Sequence, residues 1–521
     1  MKDQRGIVPR KIKGFRDIDP NLNQIKWNII NAASKIYKLY GFEHWDTPAL
    51  EYADNLGKYM PDSDTTDQGV YSFRNPEKEP VLKADGKELR DEKWDEVIMD
   101  NHFLSLRYDL TAPLARHYAE KHWARGLRGE LNSKNAPLFR RFQYGPVFRF
   151  EAKLDPGRFR EFWQLDFDTV GTNDVAADAE VCMILSDALE AIGLARNTYI
   201  IKVNDRKILK GLLQKVGIQT EKEEQNILRI IDKYDKIGLN GLKDELGKER
   251  IDDSGAVIKG LNLEQQIIDT IIAFLEMFED TTKRSEIIEK LVSYLGETEI
   301  GKEGVEELII IDKILNTLGY DEERVIFDPT LVRGMAYYTG PIFEVESLQF
   351  YKDKKGRKRK VGSICGGGRY DGLVEKLNGI KVPATGASIG VDRLAELLIL
   401  TNQTPKQVQG PVFISVFDDE LMPEYQKIAK ELRAQNIETE IYYGSQKALK
   451  KQLSYADKKN CSLAILIGEE ELEKGEVTVK DLVLGKQQTD IKDREEWKNK
   501  VQSIVKRDNL INFIKKKLEE A

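Results

Sequence analysis

Apolar residues recur at helical spacing early in the chain. Ile25, Ile29, Ala33, Ile36 and Tyr40 share one face, and Gly41 supplies a stop. The pattern predicts a long helix after Pro20, followed by a short strand over 42–45 that ends at Thr47-Pro48. Further on, Trp163-Gln164-Leu165-Asp166-Phe167-Asp168 alternates apolar and polar positions, the period of a strand. Alternation sends Gln164, Asp166 and Asp168 to one face. That face is either solvated or the floor of a pocket. From about 200 to 325 the pattern returns to helical spacing, rich in Lys, Glu, Ile and Leu, with nothing that reads as catalytic. A strand is expected from Phe343 to about Tyr351, and another starts near Val361. The basic run between them, from Lys352 to Lys360, reads as a hairpin tip turning near Gly356. Such a tip is either simply solvated or a contact for nucleic-acid phosphates. Glu77 to Asp100 is charge-rich and reads as an exposed loop or hairpin.

Past a polar linker at 401–409 the periodicity alternates between strand and helix. Strands are predicted at 412–416, 439–443, 463–467 and 476–480, with helices at 424–434 and 447–458. This order predicts an α/β domain with a mostly parallel sheet. The stretch 494–521 reads as a Lys-rich amphipathic helix.

Composition narrows the class. A chain of 521 residues is too long for one ordinary domain. With 40% hydrophobic and 32% charged residues it reads as a soluble globular protein. No apolar run reaches membrane-spanning length, and the first residues carry no secretory h-region, so a cytoplasmic location is expected. Cys182, Cys365 and Cys461 are far apart, and His44, His102, His117 and His122 form no metal-spaced set. Neither a disulfide framework nor a protein-built metal site is expected. A net charge of −7 neither advertises nor excludes a nucleic-acid partner, because a local basic patch matters more than the total.

Candidate chemistry concentrates in three neighbouring stretches. Leu331-Val332-Arg333-Gly334-Met335-Ala336-Tyr337-Tyr338-Thr339-Gly340 brings a cation close to two phenols. Gly366-Gly367-Gly368-Arg369-Tyr370-Asp371-Gly372 reads as a glycine-rich turn. Gly386-Ala387-Ser388-Ile389-Gly390-Val391-Asp392-Arg393 leads into an apolar helix whose first turn carries an arginine, an arrangement that attracts phosphate. Upstream, Leu106-Arg107-Tyr108-Asp109-Leu110-Thr111-Ala112-Pro113 offers a carboxylate and a hydroxyl, which suit an ammonium but equally suit a helix cap. A dense cationic stretch, Phe139 to Glu151, precedes the loop and strand at 157–168.

Taken together, these stretches resemble the histidyl-tRNA synthetase family. Arg333 to Tyr338 and Gly367 to Gly372 resemble its two histidine signatures. The early helix and strand, the segment from Phe148-Arg149-Phe150-Glu151 to Asp168, and Gly386 to Arg393 resemble motifs 1, 2 and 3 of class II aminoacyl-tRNA synthetases. Ala448 to Asp457 resembles the anticodon-binding domain shared by the histidyl, threonyl, prolyl and glycyl enzymes. The resemblance implies a class II synthetase-like α+β catalytic domain with an antiparallel sheet. That domain would be split into 1–199 and 326–405 around a mostly helical insertion at 200–325, with a C-terminal α/β anticodon-binding domain at 410–521. It further implies ATP as substrate, Mg2+, L-histidine and histidine tRNA as partners, and a homodimer.

Residue by residue, the resemblance implies that Arg149 and Arg333 grip the α-phosphate of ATP. Glu151 and Arg393 join Arg149 in binding ATP. Asp109, Leu110, Thr111 and Gln164 would surround the α-ammonium of histidine, and Asp168, Tyr337 and Tyr338 its imidazole. Met335 and Ala336 depart from the family pattern, Ala336 standing where an acidic residue is usual. The loop at 152–156 also departs from the bacterial pattern for reading the acceptor end. A catalytically inactive, histidine-sensing regulatory relative is the competing reading. The retained Arg149, Arg333, Arg393 and C-terminal domain favour the enzyme.

Overall fold

The computed structural model describes residues 8–520 apart from 54, 56–68, 78–102, 133, 151–153, 155, 252–254, 333–336, 354, 405–409 and 488–493. The charge-rich segment expected at 77–100 therefore lies almost wholly outside the described residues. Two compact units form, Met1–Gln403 and Thr404–Ala521.

The first unit is built on an eight-stranded sheet. Its strands are β1 (Glu43–His44), β2 (Phe139–Phe148), β3 (Glu161–Val170), β4 (Tyr199–Asp205), β5 (Val325–Phe327), β6 (Pro341–Ser347), β7 (Ser363–Arg369) and β8 (Ala384–Gly390). Their spatial order is β1-β2-β3-β8-β7-β6-β4-β5. The six inner strands are mutually antiparallel, as expected, while β1 and β5 join the two edges in parallel. Four helices matter for the site: α1 (Pro20–Leu39), α2 (Thr111–Leu127), α3 (Ala176–Ile192) and α4 (Val391–Leu400).

Helix α1 starts where Asp19 caps the backbone N–H of Leu22 at 2.9 Å and Pro20 takes the first turn. It stops at Gly41, whose φ of +82° continues no helix. Its buried face (Ile29, Ile30, Ala33, Tyr37) joins Leu185 of α3, Leu394 of α4, and Phe142 and Phe167 of the sheet in one core. Phe167 and Leu165 thus face the helices, and the opposite face of β3 is left for polar work.

The region 200–325 departs from expectation at its start. Tyr199–Asp205 is a full strand of the main sheet, paired with both β6 and β5. The helices that follow (among them Arg206–Lys215, Gln265–Glu276, Arg284–Leu295 and Glu299–Thr317) bury Leu212, Ile271, Leu291 and Leu308 in the same core as the sheet. Buried Arg284 ties them to β5, donating to Asp312 (2.6 Å), Asn316 (2.7 Å) and the Val325 carbonyl (2.7 Å).

Two local expectations need correction. Gly366 to Gly368 is no turn: the three glycines lie inside β7. A Cβ on Gly367 would come 2.2 Å from the Gly386 carbonyl oxygen and 2.6 Å from the Ala387 Cα. One on Gly386 would meet Asp168 Oδ1 at 2.4 Å. These glycines let β7, β8 and β3 close up where side chains would hold them apart. The strand expected from 343 to about 351 is two strands, β6 and Phe350–Lys352. The latter pairs with Lys358–Lys360 in the basic hairpin, with Gly356 near the turn at φ +75°.

The second unit holds a five-stranded sheet: β9 (Val412–Ile414), β10 (Thr439–Ile441), β11 (Leu463–Leu466), β12 (Glu476–Asp481) and β13 (Gln502–Lys506), ordered β10-β9-β11-β12-β13. Two pairings are parallel and two antiparallel, so the sheet is mixed rather than mostly parallel. The expected single C-terminal helix is instead a helix (Arg494–Val501), strand β13, and a second helix (Leu510–Glu520). The register places Val505 opposite Val477, which draws this stretch into the sheet. Among the described residues no helix is long and apolar enough to cross a membrane.

Candidate active site

A cavity of about 320 Å³ opens on the sheet face opposite α1, α3 and α4. Its size falls in the range that holds small molecules. Seven expected residues reach it: Asp109, Thr111, Arg149, Gln164, Tyr337, Tyr338 and Arg393. Arg333 and Glu151 lie outside the described residues.

Asp109 precedes α2 and works as a cap. Its Oδ1 accepts from the backbone N–H groups of Thr111 (3.1 Å) and Ala112 (2.9 Å). The capping and pocket readings of Asp-x-Thr are thus compatible, because one carboxylate oxygen does the capping while the side chain lines the cavity. Leu110 is fully buried behind this turn and is not among the residues lining this cavity; its carbonyl accepts from Arg141 at 2.7 Å.

Arg149 leaves the end of β2. Its Nε donates to the Tyr108 carbonyl (3.0 Å), and its guanidinium lies over the rings of Tyr108 (4.3 Å) and Phe162 (5.2 Å). Two aromatic faces and one carbonyl hold this cation in place. Arg393 sits in the first turn of α4, and its Nη1 donates to the Ser363 carbonyl at 2.7 Å. Gly157 packs on its backbone: with φ +74° and a would-be Cβ 2.9 Å from the Arg393 Cα, only glycine suits that position.

Strand β3 supplies the floor. Gln164 and Asp166 line the cavity, whereas Asp168 is not among the lining residues. Its Oδ1 accepts from the Tyr370 hydroxyl at 2.5 Å, and its Oδ2 faces Arg141 at 3.2 Å. Burial raises the Asp168 carboxyl while the Arg141 guanidinium pulls it back down. Burial, and then the neighbouring Asp168, push Asp166 up to about 7. Tyr337 and Tyr338 meet edge to face at 5.0 Å. Burial raises both phenols, so they are hydrogen-bond donors at neutral pH.

Sequence reasoning placed Asp166 on the right face but gave it no role, and gave none to Ser388, Glu344 or Arg141. Ser388 and Glu344 line the cavity, and Arg141 is the buried counter-charge beneath it. Arg141 sits in a run of two arginines, Arg140-Arg141, on a strand whose two faces are unlike. That run is the one signal that could have marked it. The other motif arginine, Arg369, is drawn away from the cavity into a buried pair with Asp178.

What the arrangement can do is bind a zwitterion and a polyphosphate side by side. Carboxylates and amide groups cluster on β3 and α2, and arginines stand at the ends of β2 and α4. The chain's relatives fit that chemistry. A sequence model described as "Histidyl-tRNA synthetase" matches residues 79–394, and one described as "Anticodon binding domain" matches 409–517. A histidine–tRNA ligase of Paracoccus denitrificans is 43% identical over 509 residues, covering 97% of this chain and 96% of that protein. Another, of a Ruegeria species, is 41% identical over 497 residues, covering 95% and 92%. The solved histidyl-tRNA synthetase of Nostoc shares the fold at a TM-score of 0.68 with 26% identity, covering 98% of this chain and all of that one. By the extent of the match and the level of identity, the chain belongs to the histidyl-tRNA synthetase family.

Proposed function

We propose that the chain ligates L-histidine to histidine tRNA at the expense of ATP, through a histidyl-adenylate. The single observation that carries this reading is the convergence of Asp109, Gln164, Arg149 and Arg393 on one cavity. In the first step the histidine carboxylate attacks the α-phosphate and pyrophosphate leaves. The carboxylate is already ionised, so no general base is needed. Negative charge builds on the α-phosphate, and fixed cations aimed there lower the barrier.

Arg149, held over two rings, is suited to that task, and Arg333 would grip the same phosphate by its resemblance to the family's signature arginine. Arg393 would hold the far phosphates, with Glu151 beside the nucleotide. Asp109, Thr111 and Gln164 would seat the α-ammonium, with Leu110 fixing the turn. Tyr337 and Tyr338 would read the imidazole, with Asp168 orienting that end through Tyr370. In the second step the 3′-terminal ribose of the tRNA takes the histidyl group.

Mg2+ needs only one or two protein carboxylates when substrate phosphates supply the rest. Buried Glu344, which lines the cavity, is of the donor type required and would hold it; the ion would supply charge neutralisation at the phosphates. Pairing through α1 and β1 into a homodimer, and a cytoplasmic location, complete the reading. So does a division into a catalytic domain (1–199 and 326–405, with β4 counted to its sheet), a helical insertion and an anticodon-binding domain at 410–521. The regulatory alternative gains no support, since Arg149 and Arg393 both reach the cavity.

Amino-acid-dependent ATP–pyrophosphate exchange, run separately with histidine, threonine, proline and glycine, tests the reading. Exchange with histidine alone is expected. Saturable histidine binding without exchange would transfer the chain to the regulatory class.

A further inference from the structure

The floor of the cavity contains a hydrogen-bond relay that fixes which atoms are offered to a ligand. Ser388 of β8 stands directly opposite Asp166 of β3. Its Oγ accepts from Gln164 Nε2 at 2.7 Å. Ser388 is also hydrogen-bonded to the Asp166 carboxylate. The Ser388 oxygen already accepts from Gln164, so its own proton is left to point at the Asp166 carboxylate. Gln164 is thereby locked with its nitrogen on Ser388 and its Oε1 turned away from it.

Two acceptors are left over. Gln164 Oε1 and Asp166 Oδ1 are both buried and have no hydrogen-bond partner among the described residues. They belong to residues two apart on one strand face, so their Cα atoms are roughly 7 Å from each other. Buried acceptors without donors are unfavourable, and a ligand that brings donors relieves them. Asp168 and Arg141 do not supply them: Arg141 turns its Nη groups to Asp168, to Gln143 Oε1 at 2.9 Å and to the Leu110 carbonyl, and its buried Nε bonds to neither acceptor. Arg107, the other buried cation near Asp166, donates its Nε and Nη1 to the carbonyls of Pro146 and Thr47, each at 2.8 Å.

The ligand group can be chosen by its donors. A neutral imidazole carries one donor and one acceptor, so two facing acceptors would meet an acceptor on one side. A phosphate or carboxylate would bring like charge. An ammonium brings three donors and a positive charge. We propose that Asp166, oriented by Ser388, is a further specificity residue that binds the α-ammonium of the amino-acid substrate together with Gln164. This rests on the reading of the cavity as an amino-acid site. Ser388 touches no substrate in this scheme and is a positioning residue.

The full-length enzyme tests this with two histidine analogues as competitive inhibitors of exchange. Histidinol keeps the ammonium and lacks the carboxylate; imidazole-propionate keeps the carboxylate and lacks the ammonium. Asp166→Asn is expected to raise the KM for histidine and the Ki for histidinol by about tenfold or more, the loss of one charge-assisted hydrogen bond. The Ki for imidazole-propionate should stay within about twofold, because that molecule has no group for the lost partner. Ser388→Ala should show the same pattern, weaker, and Ser388→Thr should restore it. Equal rises for both analogues would overturn the assignment, as would no rise for either. Absence of histidine-dependent exchange in the unaltered enzyme would instead sink the proposed function itself.

Discussion

The sheet of the first unit buries a carboxylate on each of its faces, and the two are treated differently. On the helix side, Asp178 of α3 accepts two bonds from Arg369 (3.0 and 2.5 Å) and one from the Thr385 hydroxyl (2.7 Å). Arg369 spends its remaining donors on the carbonyls of Thr172 and Asp174. On the cavity side, Asp166 is 2% exposed against 0% for Asp178, yet one of its oxygens has no partner among the described residues. Strand β8 serves both: Thr385 and Ser388 are three residues apart and so point to opposite faces, one hydroxyl to each carboxylate. Burial alone therefore does not separate a structural acid from a functional one. The number of donors that reach it does.

The comparison can be broken most severely at Asp178. Asp178→Ala leaves Arg369 buried without its counter-charge, and stability should fall by about 3–5 kcal/mol. Denaturant unfolding measures this; a loss below about 1 kcal/mol would mean that Asp178 is not the saturated anchor described here. Next in size, Arg149→Ala should lower the rate of histidine-dependent exchange by about 100–1000-fold while leaving the unfolding midpoint nearly in place. Near-normal turnover would remove Arg149 from the phosphate site.

The smallest effect is the most direct on Asp166. Its carboxyl is raised from an ordinary 3.8 to about 7, so the folded state holds the proton more tightly than the unfolded chain does. The cost of folding around the charged form therefore grows as pH rises from about 4 to about 7 and is complete above that. Asp166→Asn removes this cost, so the variant should melt a few degrees above the parent at pH 8, with the gain shrinking at pH 5. Calorimetry at the two pH values checks the sign. A variant less stable at pH 8 would place Asp166 with Asp178 among the structural acids.

What could be read from the sequence follows the range of the interaction involved. Helix α1 was legible because its face, its proline start and its glycine stop are all local. The alternation of β3 put Gln164 and Asp166 on one face correctly, since a strand's faces are set by its own period. Gly366 to Gly368 was misread as a turn because glycine's local preference says turn. The fact that decides it, the approach of Gly386 and Ala387 across the sheet, lies twenty residues away. Asp168 shares the face of Gln164 and Asp166, but its partners were not legible: only the fold brings the Tyr370 hydroxyl and Arg141 to it. β13 was hidden in a Lys-rich tail, and its partner β12 lies more than twenty residues upstream. The cations Arg149 and Arg393 were named from resemblance; the rings and carbonyls that aim them were not visible in any spacing.

Asp392 sits beside Arg393 and is the meeting point of three distant parts of the chain. One carboxylate takes Arg16 (2.7 Å), Lys26 (3.2 Å) and the backbone N–H of Trp163 (2.6 Å). Positions 16, 26 and 392 are thereby joined in one charge network at the first turn of α4. Without Asp392, buried Lys26 would lose its ion-pair partner, while Arg16 would keep Glu396 at 2.8 Å. The first residues of the chain are in this way a brace for the helix that carries Arg393, and a change at Asp392 is felt first at Lys26.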